Sequence, residues 1–221
     1  MGYVYLIPHW FFGFDIAMEI IFAIIALAVS LLAYKMYKLS QERHIKLISA
    51  SFGLIGLSYL IWAISNLSLL AEASEGILEA DLSKMIIWGS VSLFAFMFLY
   101  TISLSTLAYA TFKTKNGSIY YLLAGLPLIA IAASLNKFAT FKIVSIFLLA
   151  FIVYHYASEC TICKNRKANL MLGAFTFLLL SNITFLFVIT SYKAYVLGHI
   201  LELIAYILIL FNIINITKLK K

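Results

Sequence analysis

The sequence predicts an all-α polytopic membrane protein, a single bundle of seven transmembrane helices. Three observations carry this. Residues of the AVILMFWYC set make up 64% of the 221-residue chain, and charged residues only 11%. Mean hydropathy is +1.04. The apolar residues fall into seven long runs, and a hydrocarbon core about 30 Å thick needs about 20 such residues per helix. Soluble domains carry roughly 25% charge. So few polar groups cannot cover a water-facing surface of this size, which excludes a cytosolic globular enzyme and a disordered chain. Two cysteines exclude a disulfide scaffold.

The predicted spans are 10–37, 46–70, 85–112, 119–134, 141–158, 168–192 and 195–217, forming one domain over 1–221. The first has no basic stretch before it, so it is expected to act as its own insertion signal rather than a cleaved leader. The second holds Ser49, Gly53 and Gly56, a small-residue stripe that marks a close helix contact. The third carries Tyr100, Thr101, Ser103, Ser105, Thr106 and Tyr109. These hydroxyls either bond back to helix carbonyls or line a path. The fourth is the shortest and contains Pro127, so it is expected to kink or tilt. Strands are excluded: unpaired backbone groups in lipid cost several kcal/mol each, and barrel-type alternation is absent. The connections are short, so sequence neighbours should pack antiparallel, and in a closed ring the first and seventh spans should meet.

The formal charge is +7. Basic residues flank the apolar runs, so they read as topology signals and contacts with anionic headgroups, not as a nucleic-acid surface. Twelve Lys and Arg fall on one side (35, 38, 43, 46, 113, 115, 164, 166, 167, 218, 220 and 221) and four on the other (84, 137, 142 and 193). The positive-inside rule then puts the N-terminus outside and the C-terminus in the cytoplasm of a multi-pass cell-membrane protein. The acidic connection with Glu72, Glu75, Glu79 and Asp81 faces outward.

An ionisable group inside a span is costly and is a functional candidate by default. Asp15 and Glu19 are spaced i,i+4, and His199 and Glu202 i,i+3, so each pair shares a helix face. At about 1.5 Å per residue, Asp15 and Glu19 lie about 7 and 13 Å below the outer boundary, and His199 and Glu202 about 6 and 10 Å. The two pairs match in depth. They are expected to converge in an outer-half polar pocket between the first and seventh helices. Tyr195 and Tyr206 extend the stripe on the last span. Asn182 lies near the midplane, Ser65 and Asn66 near the outer end of the second span, and His9 at the mouth. His with carboxylates suits a divalent metal such as zinc, with His9, His199 and Glu202 as the candidate ligands. The same groups suit a proton relay. The bland alternative is interhelical hydrogen bonding, worth about 0.6–2 kcal/mol.

Cys160 and Cys163 form a lone CxxC that nothing nearby completes as a zinc site. His44 and His155 make no facing pair for haem, which is disfavoured. Seven spans with this orientation are the layout of retinal proteins and seven-helix receptors. The last span has no mid-helix lysine for a Schiff base, so retinal is excluded, and receptor motifs are absent. The likeness is one of topology and does not carry function.

Three classes remain. The first is a binding module, either a receptor-like sensor or a small transporter, for a cation, a proton or a small polar ligand. The second is a membrane-embedded metal-dependent hydrolase. The third is a structural subunit of a larger complex with a membrane or cytoplasmic protein partner. The balance of these features points away from an enzyme.

Overall fold

The computed structural model describes residues 13–74, 82–112, 116–163, 166–188 and 191–218. They form seven helices: α1 (Phe14–Ser40), α2 (Arg43–Ser74), α3 (Leu82–Thr111), α4 (Gly117–Ala133), α5 (Lys137–Cys163), α6 (Arg166–Leu186) and α7 (Tyr192–Lys218). Six are long and apolar enough to cross a membrane; α4, with 17 residues, is shorter. Among the described residues there is no strand.

Local chemistry sets the helix ends. At the start of α1, Asp15 Oδ1 accepts from the backbone N–H groups of Gly13 and Ile16, both at 2.9 Å. Gly13 takes φ +94°, a region that suits a residue without Cβ. Gln41 closes α1 in the left-handed region and donates its N–H to Tyr37 O at 2.7 Å, so α2 follows after a tight reversal. Asn116 caps α4 through Ser118 N. Asn136 caps α5 by accepting from Ala139 N at 3.1 Å, which starts that helix four residues before the predicted 141. Helix α6 stops at Leu186, short of the predicted 192, where Phe187 N–H bonds Thr184 O in a tightened last turn.

Helices adjacent in sequence pack together throughout, and α1 also packs on α7 and α3 on α5. The α3–α5 contact differs from a simple seven-membered ring. Phe96 meets Phe141 at 5.8 Å and Phe112 meets Phe151 at 4.8 Å, so numbering rises along both helices together and the pair is parallel. The chain must therefore travel back along the bundle in α4, which lies outside α3 and α5 and buries only Ala124 and Ile131. Six helices (α1, α2, α3, α5, α6 and α7) enclose the interior. The physical reason is that α4 is apolar on every side. Lipid accepts such a helix, whereas the other six have buried polar groups to turn inward.

The α1–α2 contact follows the small-residue stripe. Ser30 and Ser49 exchange hydroxyl-to-carbonyl bonds at 2.8 and 2.9 Å. The core around the interior is aromatic and aliphatic: Phe22, Phe52, Tyr59, Tyr100, Phe141, Leu149, Phe175, Tyr206 and Ile209 are all buried. Outward-facing Ile24, Leu31, Ile129, Phe147 and Phe211 stay exposed, as a lipid-facing surface requires.

Candidate functional site

The N-terminal ends of α1 and α7 lie side by side, where Tyr195 O–H reaches Asp15 Oδ2 at 3.4 Å. One helix turn separates Asp15 from Glu19 on α1, and both face the interior, only 3% and 2% exposed. His199 and Glu202 on α7 are buried likewise, with His199 Nδ1 4.0 Å from Glu202 Oε2. Each deep carboxylate has a partner on α2. Glu19 accepts from Asn66 Nδ2 at 3.1 and 3.0 Å, and Glu202 accepts the phenol O–H of Tyr59. Neutral donors of this kind offset part of the cost of keeping a carboxylate out of water.

A cavity of about 100 Å³ joins these groups. Glu19, Tyr59, Tyr195, His199 and Glu202 line it together with Lys142 of α5 and the rings of Trp62, Phe96, Phe138 and Phe185. Lys142 was expected to flank the membrane; instead it is buried inside the bundle. Its Nζ lies 3.5 Å from Asn182 Oδ1 and 4.2 Å from the Phe185 ring centroid. The position follows from Asn136: capping α5 there puts Lys142 more than a turn inside the helix. Phe185 stands between the cation and the imidazole, its ring 5.1 Å from that of His199. Tyr59 also belongs to the site without being singled out by the sequence analysis; a phenol in the middle of an apolar span is the signal that points to it.

Of the site residues read from the sequence, Glu19, His199 and Glu202 line the cavity and Asp15 sits beside it, bonded to Tyr195. Asn182 joins through Lys142 and also donates to Leu178 O at 2.9 Å. Tyr206 does not line the cavity. It packs below, 5.3 Å from Phe22 and 6.0 Å from Tyr59, and forms part of an aromatic floor with Tyr100. Ser65 bonds Ser92 at 2.6 Å. His9 lies outside the described residues, and among those described no three His, Cys, Asp or Glu side chains cluster as a metal centre requires.

The α3 hydroxyls do not form a continuous path. Thr101 donates to Met97 O, Ser103 to Tyr100 O, Thr106 to Ile102 O and Ser105 to Leu123 O. They are spent on helix carbonyls. At the opposite end of the bundle, His155 pairs with Glu159 at 3.4 Å and His44 with Glu42 at 3.3 Å. Cys160 is a half-buried free thiol, and the Cys163 side chain lies outside the described residues. No protein-family model, curated protein or solved structure matches this chain.

Proposed function

We propose that this chain is a receptor-like binding module of the cell membrane, with a pocket between α1 and α7 that takes a small charged or polar ligand. One observation carries the reading: three helices from different parts of the chain bring Glu19, His199, Glu202 and Lys142 to a single small cavity. Charged groups at membrane depth are costly, and sharing one cavity is the arrangement expected when a ligand offsets that cost. The aromatic floor of Phe22, Tyr59, Tyr100 and Tyr206 favours binding over free passage. With Lys142 withdrawn into the cavity, the flanking basic residues stand at twelve to three, an asymmetry that supports a pocket opening outward.

The structural-subunit reading draws on the Tyr59–Glu202 and Asn66–Glu19 bonds, which would also dock α2 against its neighbours. The test compares the wild type, Glu19→Gln and Glu202→Gln in lipid nanodiscs. Sodium, potassium, calcium, zinc and small organic ions are added in turn, and unfolding is followed thermally. A ligand at a hundred times its dissociation constant stabilises by about 2.7 kcal/mol. A binding site gives a saturable rise in Tm in the wild type that both variants lose while staying folded. If no probe raises the wild-type Tm and both variants melt lower, the carboxylates only dock helices.

A further inference from the structure

The pocket has two poles. Its acidic groups come from α1 and α7, while its ammonium comes from α5, a helix that packs on α3, α4 and α6 but on neither α1 nor α7. Lys142 and the carboxylates therefore reach the cavity from helices that are not neighbours. Among the described residues no carboxylate lies within ion-pair distance of Lys142 Nζ. Its contacts are the Asn182 carbonyl oxygen and the faces of Phe185, Phe141 and Phe138 at 4.2, 5.2 and 5.6 Å. Aromatic faces and an amide oxygen hold an ammonium in place without neutralising it.

From this geometry we infer that the ligand is a small zwitterion, with its anionic end at Lys142 and its cationic end at the Glu19 and Glu202 carboxylates. The inference rests on the pocket reading above and narrows it. A bare metal ion or a simple amine would meet the Lys142 ammonium across a cavity of only about 100 Å³. A simple carboxylate would meet Glu19 and Glu202. A molecule carrying both charges pairs each wall with its complement and leaves the net charge of the site unchanged. Without such pairing, a buried charge is strongly unfavourable. The small volume and the adjoining rings of Trp62, Phe96 and Phe138 suit a short aliphatic spacer between the two charged groups.

The test uses ω-amino acids with one to four methylene groups between ammonium and carboxylate. Each is compared with the alkylamine and the alkanoate of the same length. Binding to the protein in nanodiscs is read by thermal shift and by calorimetry. At least one zwitterion should bind saturably, at least tenfold tighter than either singly charged analogue. Lys142→Met should weaken the zwitterion at least tenfold and bring the amine to within a few-fold of it. Lys142→Arg, which keeps the charge if the Met variant fails to fold, should retain the preference for the zwitterion over the amine. Amine or metal binding that equals the zwitterion, and that Lys142→Met leaves unchanged, overturns this inference while the broader pocket reading survives. Silence from every amine, carboxylate, zwitterion and metal ion overturns both.

Discussion

Tyr59 gives its phenol O–H to Glu202, and both side chains are buried. Removing the donor leaves a buried carboxylate oxygen short of that partner. Tyr59→Phe is therefore expected to destabilise the protein by about 1–3 kcal/mol, the usual cost of an unmatched buried polar group. A thermal melt in nanodiscs checks this, and an unchanged Tm would mean that Glu202 does not depend on the bond. Asn212 on α7 is the opposite case. It is 1% exposed, and among the described residues neither Nδ2 nor Oδ1 of its carboxamide has a hydrogen-bond partner. Asn212→Leu, close in volume, should hold or raise the Tm, since an unsatisfied polar group is exchanged for an apolar one. A marked fall would reveal a bond that the carboxamide makes in the membrane. The site was partly legible in the sequence, although neither of these two residues was. Asp15, Glu19, His199 and Glu202 stand out because charge is rare in apolar spans and their spacing is helical. Lys142 did not, because a lysine one residue inside a predicted span reads equally well as an interfacial anchor. Only the position of the Asn136 cap decides between the two.

At the scale of the element, the small-residue stripe on α2 makes a quantitative claim. A Cβ at Gly56 would lie 2.7 Å from Leu27 Cγ and 3.2 Å from Ala23 O on α1. Gly56→Val adds two further methyl groups at that contact. Overpacking of this kind typically costs about 1–3 kcal/mol. The expected result is a lower Tm with the helix content by circular dichroism retained; an unchanged Tm would show that α1 and α2 separate at little cost. Gly198 plays a similar part on α7, where a Cβ would stand 2.9 Å from the Phe185 ring that carries Lys142. Seven helices and their approximate bounds were readable because hydrophobic length alone specifies a span. The placement of α4 outside the ring was not. A helix that is apolar all round has no hydrophobic face to point inward, so its sequence names no neighbour. The parallel α3–α5 pair depends on aromatic contacts between residues far apart in the chain, and periodicity does not report these.

For the whole molecule, the end of the bundle that faces out decides which side of the membrane supplies the ligand. The beginnings of α1 and α7 lie at the pocket end, and Lys218 at the end of α7 lies at the other. The reading that the pocket end is external rests on the distribution of Lys and Arg: each basic residue near an anionic cytoplasmic surface contributes about 1 kcal/mol. Twelve against three, with Lys142 buried in the pocket, is then a large bias even after screening. Two exposed connections test it. Leu135 lies between α4 and α5 at the pocket end, and Glu42 lies between α1 and α2 at the far end. With Cys160 and Cys163 replaced by Ser, Leu135→Cys and Glu42→Cys are made separately and treated on intact cells with a membrane-impermeant maleimide. Label at position 135 in intact cells, and at 42 only after permeabilisation, is the expected pattern. The inverse pattern would put the pocket on the cytoplasmic side. Its ligand would then be drawn from inside the cell, and the basic connections would face outward against the positive-inside bias. Adding lysines to the 134–136 connection gives an independent check on the same cause. If charge sets the orientation, each added lysine there should lower the fraction of molecules that show external label at 135, whereas charge added near Glu42 should leave that fraction intact.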